Sequence, residues 1–284
     1  MAKYSVLFNP KANNSKGKEI AEGVKKFYEG DELDFVDLTE IGSYKDFFKT
    51  FSGDAVILVG GDGTINYLVN DMEGDKIPVD LYLYGGGTGN DFLTDLGIAG
   101  GSAPVKINEY LDNLPTVYVN GMIKKFINGI GYGIDGYCCE VADQLKAKSD
   151  KPINYAGIAI KGLLFHYKPT NAVITVDGTE YNFKKVWLAP TMHGRFYGGG
   201  MMAAPAQDRK NEEGTLTVMT FHGKGRILTL MAFPSIFKGE HVKKKMVDTI
   251  VGKEITVKFD RPVALQIDGE TVLNVSEYTV KSGK

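Results

Sequence analysis

Residues 54–64 read DAVILVGGDGT, and this stretch decides the fold of the first half of the chain. The run Asp54–Val59 is continuously apolar after its first residue, as a strand buried on both faces should be. It ends in Gly60-Gly61 and is followed by Thr64–Met72, where Ile65, Leu68, Val69 and Met72 recur at helical spacing. Val79–Tyr84 repeats the design, an apolar strand running into glycines. Upstream, Tyr4–Phe8 reads as a first strand. Ser15 is placed to cap a helix carrying Ile20, Val24, Phe27 and Tyr28, Leu33–Leu38 reads as the next strand, and Asp46–Phe51 as a short helix. Strand and helix alternating in this order predict a parallel sheet with helices on both faces.

The pattern changes after about residue 115. Val117–Val119 and Lys125–Ile130 read as strands, Glu140–Lys146 and Tyr155–Leu164 as helices. From Asn171 onward a period of two dominates. Ala172–Val176 and Thr179–Phe183 flank Asp177-Gly178 as a hairpin, and Val186–Ala189, Thr215–Phe221, Glu254–Phe259 and Val263–Ile267 follow as strands. Asp268-Gly269 offers a second hairpin turn. An α/β domain over 1–118 and a β-rich domain from 119 onward are expected.

Composition narrows the function classes. The 284 residues carry 33 Lys and Arg against 35 Asp and Glu, a formal net charge of −2, which argues against a nucleic-acid partner. The only cysteines, Cys138 and Cys139, are adjacent and predict no disulfide framework, as in a reducing cytosol. The first residues read as a strand rather than a signal peptide, and no stretch reaches the ~20 apolar residues of a membrane span. A cytoplasmic protein, at most peripheral at a membrane, is expected. The four histidines are scattered without H-E-x-x-H spacing, so they read as surface or hydrogen-bonded core residues. Gly131, Gly133 and Gly136 satisfy G-x-G-x-x-G, but no acidic residue lies in 151–176 to complete a dinucleotide fingerprint.

Glycine is enriched, at 35 residues, and its clusters carry the functional reading. Gly60-Gly61-Asp62-Gly63-Thr64 lies between strand and helix, where an α/β sheet forms its ligand crevice. Backbone amides there can approach a phosphate with no Cβ between them, and the following helix adds its positive end. Asp62 fits such a site as a Mg²⁺ ligand or a base; the alternative is a helix N-cap in an ordinary turn. Gly85-Gly86-Gly87-Thr88-Gly89-Asn90-Asp91 repeats the arrangement at the next strand end, and Asn9-Pro10 closes the first strand as a third wall.

Together, Asn9-Pro10, GGDGT at 60–64, GTGNDF at 87–92, Asn128 through Asp135-Gly136, YGGGMMAAP at 197–205, Glu213-Gly214 and Asp268-Gly269-Glu270 resemble the diacylglycerol kinase catalytic-domain family. The resemblance runs from about residue 3 to 280. GGDGT alone is shared with NAD kinases and phosphofructokinase-like folds; GGDGT with GTGNDF and a late DGE is more specific. It implies a Rossmann-like (phosphofructokinase-like) nucleotide domain, completed by about 276–284, and a C-terminal antiparallel β-sandwich-like lipid-acceptor domain over 119–275. It further implies ATP contacts at Asn9, Thr39, Gly60, Gly61, Gly63, Thr64, Gly87, Thr88 and Asn90. Asp62 and Asp268 would serve catalytic Mg²⁺, and Glu270 would be the general base. Two departures stand out. Glu212-Glu213-Gly214 replaces the family's Asp-Asp-Gly, which weakens a structural Mg²⁺ site at Glu213, and Phe92-Leu93-Thr94 lacks the usual arginine.

The expected reaction is transfer of the γ-phosphate of ATP to a lipid hydroxyl, most simply that of diacylglycerol or a relative. The alternatives are an NAD-kinase-like enzyme with a soluble acceptor and a nucleotide- or lipid-binding protein without turnover. Gly223–Lys245 mixes apolar residues with lysine and is a candidate for transient membrane contact; core packing accounts for its apolar residues equally well, and Lys243–Lys245 reads as a solvated run. Oligomeric state stays open, with a homodimer allowed.

Overall fold

The computed structural model describes residues 1–86, 89–148 and 153–284, so Gly87 and Thr88 of the expected nucleotide contacts lie outside the described residues. The chain divides into two compact units, Met1–Leu114 and Pro115–Lys284.

Unit 1 holds β1 (Lys3–Phe8), β2 (Glu32–Asp37), β3 (Ala55–Gly60), β4 (Asp80–Gly85) and β5 (Val105–Lys106), in the order β2-β1-β3-β4-β5. The first four are parallel; β5, which the sequence reading did not include, runs antiparallel to β4. All six residues of β3 are buried, because it pairs on both edges and is covered on both faces. The helices are α1 (Ala12–Ser15), α2 (Gly17–Glu22), α3 (Tyr44–Thr50), α4 (Asp62–Asp71), α5 (Asp91–Asp95) and α6 (Asn108–Leu111). Ser43 caps α3, its hydroxyl accepting the Asp46 N–H at 3.0 Å. Ser15, by contrast, caps nothing. It ends α1 with φ of 65°, and α2 starts two residues later behind Lys16 with no side-chain cap. The break has a steric cause: a Cβ on Gly17 would sit 1.9 Å from the Asn9 carbonyl oxygen, so only glycine lets α2 pack against the end of β1.

Unit 2 is built on β6 (Thr116–Val119), β7 (Met122–Lys125), β8 (Gly129–Tyr132), β9 (Thr170–Val176), β10 (Thr179–Val186), β11 (Thr191–Met192), β12 (Leu216–Phe221), β13 (Val247–Gly252), β14 (Glu254–Ile267) and β15 (Glu270–Lys281). Their pairings are all antiparallel. Its helices are α7 (Ile134–Lys146), α8 (Tyr155–Lys161), which continues as a π-helix over Gly162–His166, and α9 (Arg226–Ala232). The two strands expected over 254–267 are one. β14 pairs with β9 through Ile255–Phe259 and with β8 through Leu265–Ile267, with an irregularity between Lys258 and Val263 that accommodates Pro262. The run expected over Lys125–Ile130 is instead the ends of β7 and β8. Val186–Ala189 is not a strand of its own: Val186 ends β10, and Leu188 makes single bridges to Gly133 and Phe221.

The core of unit 2 gathers Tyr132 stacked on Phe259 at 3.8 Å, with Tyr278 and Trp187, the chain's only tryptophan. The indole of Trp187 is buried and donates to the Lys224 carbonyl at 2.9 Å. β6 lies in unit 2, so the division falls four residues ahead of the expected 118. Residues 279–281 pair with β6, so the C-terminal strand stays in unit 2 rather than completing unit 1. The architecture is thus a Rossmann-like α/β unit followed by an antiparallel, β-sandwich-like unit. Both cysteines are free, and among the described residues no helix is long and apolar enough to cross a membrane.

Candidate active site

In unit 1 the register pairs Phe8 with Val59 and Gly60 with Gly85, so Asn9 and both glycine loops emerge from three adjacent strands at their carboxyl ends. The loops are tied to each other. Gly86 N–H donates to Gly60 O at 3.1 Å, and Asp62 N–H to Gly89 O at 3.2 Å. The Asp62 carboxylate accepts the N–H groups of Asp91 and Phe92, both at 2.9 Å. Asp62 is therefore not the N-cap of its own helix; Gly61 occupies that position. Asp62 instead stabilises the first turn of α5 from the neighbouring loop, where a carboxylate meets amides that have no partner within their helix.

The glycines differ in what they need. A Cβ on Gly60 would lie 2.3 Å from Thr64 Oγ1, so packing alone requires glycine there. Gly63, in the first turn of α4, faces open space with an ordinary φ. Among the described residues no atom accounts for its missing side chain. Asn9 turns its Oδ1 to the Lys11 N–H at 2.9 Å, and Asn90 sits at the N-cap position of α5. Thr39 is exposed beyond edge strand β2, its N–H and hydroxyl both donating to Asp37 Oδ1 at 2.8 and 2.7 Å, and among the described residues no hydrogen bond joins it to the glycine loops.

In unit 2, Asp268 (φ 45°) and Gly269 (φ 95°) form the two-residue turn between β14 and β15. Asp177-Gly178 makes the same kind of turn, with φ of 48° and 83°. What separates the two is depth. Asp177 caps exposed amides of Lys253 and Glu254. The Asp268 carboxylate accepts Ile127 N–H at 2.6 Å, Asn128 N–H at 2.9 Å and Gly129 N–H at 3.0 Å. From the other side of that segment the buried Arg209 donates to Ile127 O at 3.1 Å and Asn128 Oδ1 at 3.0 Å. Glu270 stands half-exposed at the start of β15, ion-paired with Lys124 of β7.

Among the described residues no group of three or more His, Cys, Asp or Glu is placed to hold a metal. A nucleotide-borne Mg²⁺ needs only one or two protein carboxylates, and each Asp62 oxygen keeps a lone pair beyond its one amide. Glu213 does not fit a structural Mg²⁺: it is exposed, and the Lys284 ammonium already donates to the Asn211 carbonyl of that turn at 2.8 Å.

Arg209 has no place in the sequence motifs, and Asp135 stands in one without an assigned role. Arg209 gives no local signal, because its partners lie about eighty positions upstream. Asp135, in the first turn of α7, is partly exposed as a residue but has its Oδ2 buried, and desolvation pushes its carboxyl up to about 6. Its Oδ1 accepts the Gly136 N–H at 2.9 Å. Its Oδ2 occupies the space of the missing Gly131 side chain, with Gln266 beside it. The neighbouring glycines of this G-x-G-x-x-G run are explained by packing too. Gly133 has φ of 114°, and a Cβ on Gly136 would lie 2.1 Å from Ala264 O.

Comparison with known proteins adds to this geometry. The diacylglycerol kinase catalytic domain matches residues 3–117. The YegS C-terminal NAD kinase beta sandwich-like domain matches residues 128–280. The chain is similar to the diacylglycerol kinase of Mycobacterium tuberculosis (strain ATCC 25618 / H37Rv), 28% identical over 212 residues, covering 72% of this chain and 67% of that protein. A solved structure from Bacillus anthracis str. Sterne covers 99% of this chain and 95% of its own, with a TM-score of 0.65 at 20% identity. The crystal structure of a diacylglycerol kinase from the same organism gives 0.59 at 18% identity, covering 99% and 94%. At such identities these structures speak for the fold.

Proposed function

Since this chain belongs to the diacylglycerol kinase family, its catalytic domain followed by the YegS-type C-terminal domain, we propose that it transfers the γ-phosphate of ATP to the hydroxyl of diacylglycerol or a closely related lipid. The observation that carries this reading is the pair of glycine loops cross-linked through Asp62, with Gly63 open to space that no described residue fills.

In unit 1 the first-turn amides of α4 and the glycine backbone hold phosphate oxygens, while Asn9, Thr64 and Asn90 supply side-chain donors at the rim. Gly61 is the N-cap residue of that helix, in extended backbone. Asp62 and Asp268 are the carboxylates proposed to hold Mg²⁺, which would supply neutralisation of phosphate charge. In unit 2 Glu270 takes the proton of the acceptor hydroxyl. The hydroxyl oxygen forms a bond to the γ-phosphorus, the bond from that phosphorus to the β-bridging oxygen breaks, and ADP leaves with the electron pair. Asp268 and Arg209 fix the segment Ile127–Gly129 against the turn that carries Glu270, which limits where the base can stand. Thr39 and Glu213 keep no role in this reading.

The test is incubation of the protein with Mg²⁺-ATP and extracted bilayer lipids, or with a soluble metabolite pool including NAD, followed by mass spectrometry. A phosphorylated diacylglycerol-type lipid supports the reading. Phosphorylation confined to the soluble pool overturns the acceptor assignment, and ATP left unconsumed in both arms overturns the enzyme assignment.

A further inference from the structure

Helix α9 is built inside out. Its inward positions are Thr229 and Ala232, both buried, with Leu230 partly buried against the core and Ile236 beyond them. Its outward positions are Ile227, Leu228 and Met231, with Ile227 at 68% and Met231 at 74% exposure. A surface helix ordinarily turns its apolar stripe to the core, and core packing does not explain this one. The feature extends to a second segment. Phe165, in the π-helix after α8, is 71% exposed, and Ile160 in α8 is half-exposed. Arg226 joins the two, donating from the start of α9 to the carbonyls of Leu163 and Tyr167, both at 2.8 Å. Large apolar side chains are thus turned outward together on adjacent short helices, the signature of a surface that meets something.

Charge identifies the occupant. Residues 153–168 and 222–245 contain eight Lys and Arg and a single acidic residue, Glu240, in a chain whose net charge is −2. Lys161, Lys168, Lys224 and Lys243–Lys245 are exposed. Protruding apolar side chains with exposed lysines on the same segments complement an anionic bilayer, where apolar groups enter the acyl boundary and ammonium groups meet the headgroups.

We propose that α9 together with the segment Tyr155–His166 is a docking surface for anionic lipid membranes. It rests on the lipid-kinase reading only for biological sense; docking itself needs neither ATP nor turnover. The apolar face, not the lysine run alone, holds the protein there. Binding is therefore salt-sensitive in rate and strength yet persists in part at high salt.

The experiment is co-sedimentation of the full chain, without ATP, on vesicles of phosphatidylglycerol and phosphatidylcholine and on phosphatidylcholine alone. Wild type is expected on the anionic vesicles, with little on the neutral ones. Ile227→Ser/Leu228→Ser/Met231→Ser is expected to lower the partition coefficient roughly tenfold or more. Replacing Lys243, Lys244 and Lys245 by Glu should lower it by about fivefold per lysine at low salt. Phe165→Ser, on the other segment, weakens binding by itself and keeps the test decisive should the triple variant misfold. Phosphate transfer to detergent-dispersed lipid should be unchanged in all of these variants, so a defect in docking is distinguishable from failure of the kinase assignment. Vesicle binding by the apolar variants equal to wild type, absence of wild-type binding, or a wild-type dimer that the triple variant converts to monomer would each overturn the membrane assignment.

Discussion

Asp62 and Asp91 stand on successive glycine loops, and the carboxylate of the first accepts the backbone N–H of the second at 2.9 Å, with Phe92 N–H on the other oxygen at the same distance. The aspartate of GGDGT is thereby a joint between two loops and, on the proposed function, also a charge facing the phosphates. The two roles are compatible, because each oxygen has a further lone pair.

Replacing Asp62 by Ala leaves two part-buried amides without a charged acceptor. Unit 1 should lose about 2–4 kcal/mol of stability, and nucleotide affinity should fall with it. Asp62→Asn, which keeps one acceptor oxygen, should retain part of the stability. Urea unfolding of the two variants checks this; equal stability of wild type and Asp62→Ala would remove the joint from the account.

Gly63 separates ligand from fold. A methyl group there meets no atom of the described residues within 4 Å. Gly63→Ala should leave stability unchanged or raise it by up to about 1 kcal/mol, as alanine does in a helix. ATP affinity, measured by calorimetric titration, should fall by roughly tenfold or more if phosphate oxygens approach this backbone. Wild-type affinity in the variant would move the nucleotide elsewhere.

Glu270→Gln should keep the ATP dissociation constant and lower turnover by roughly 10²–10⁴, the usual worth of a general base. Its half-exposed pair with Lys124 contributes at most about 1 kcal/mol, so the variant should melt near wild type. Steady-state kinetics decides, and unaltered turnover would transfer the base role to Asp62.

Asp135 makes unit 2 sensitive to pH. Unfolded, its carboxyl titrates near the ordinary 3.8; folded, burial raises it to about 6. Below about pH 4 both states hold the proton. Between about pH 4 and 6 the unfolded chain releases it first, so stability falls across that window and stays lower by on the order of 2–4 kcal/mol above it. Asp135→Asn, which has no proton to lose, should gain that amount relative to wild type between pH 4 and pH 7 in denaturant titrations. A pH-independent difference would show that the carboxyl is not held neutral.

Much of this was legible in the sequence, for identifiable reasons. The strand Ala55–Gly60 announced itself because a strand covered on both faces leaves an unbroken apolar run, and its glycines follow at once. The hairpins at Asp177-Gly178 and Asp268-Gly269 were equally plain, since two consecutive positive φ values leave few residue choices. Ser15 misled because a serine before an apolar period looks the same whether it caps a helix or breaks one; the carbonyl of Asn9 decides, and it is remote from any local pattern. β13 and β15 escaped because their outward halves face solvent and dilute the alternation. The network around Asp268 depends on contacts about 140 residues apart, and Asp135 meets Tyr197 and Gln266 from distant strands and loops, where neither period nor motif carries information.

Trp187 turns the two-unit construction into something optically resolvable. Being the sole indole and wholly within unit 2, it leaves unit 1 dark to selective excitation of tryptophan, so the emission of the intact chain reports the melting of one unit against a silent background. Its N–H is anchored to the Lys224 carbonyl, two residues before α9 begins. A wavelength shift on adding vesicles would then record the seating of that helix, with no label attached.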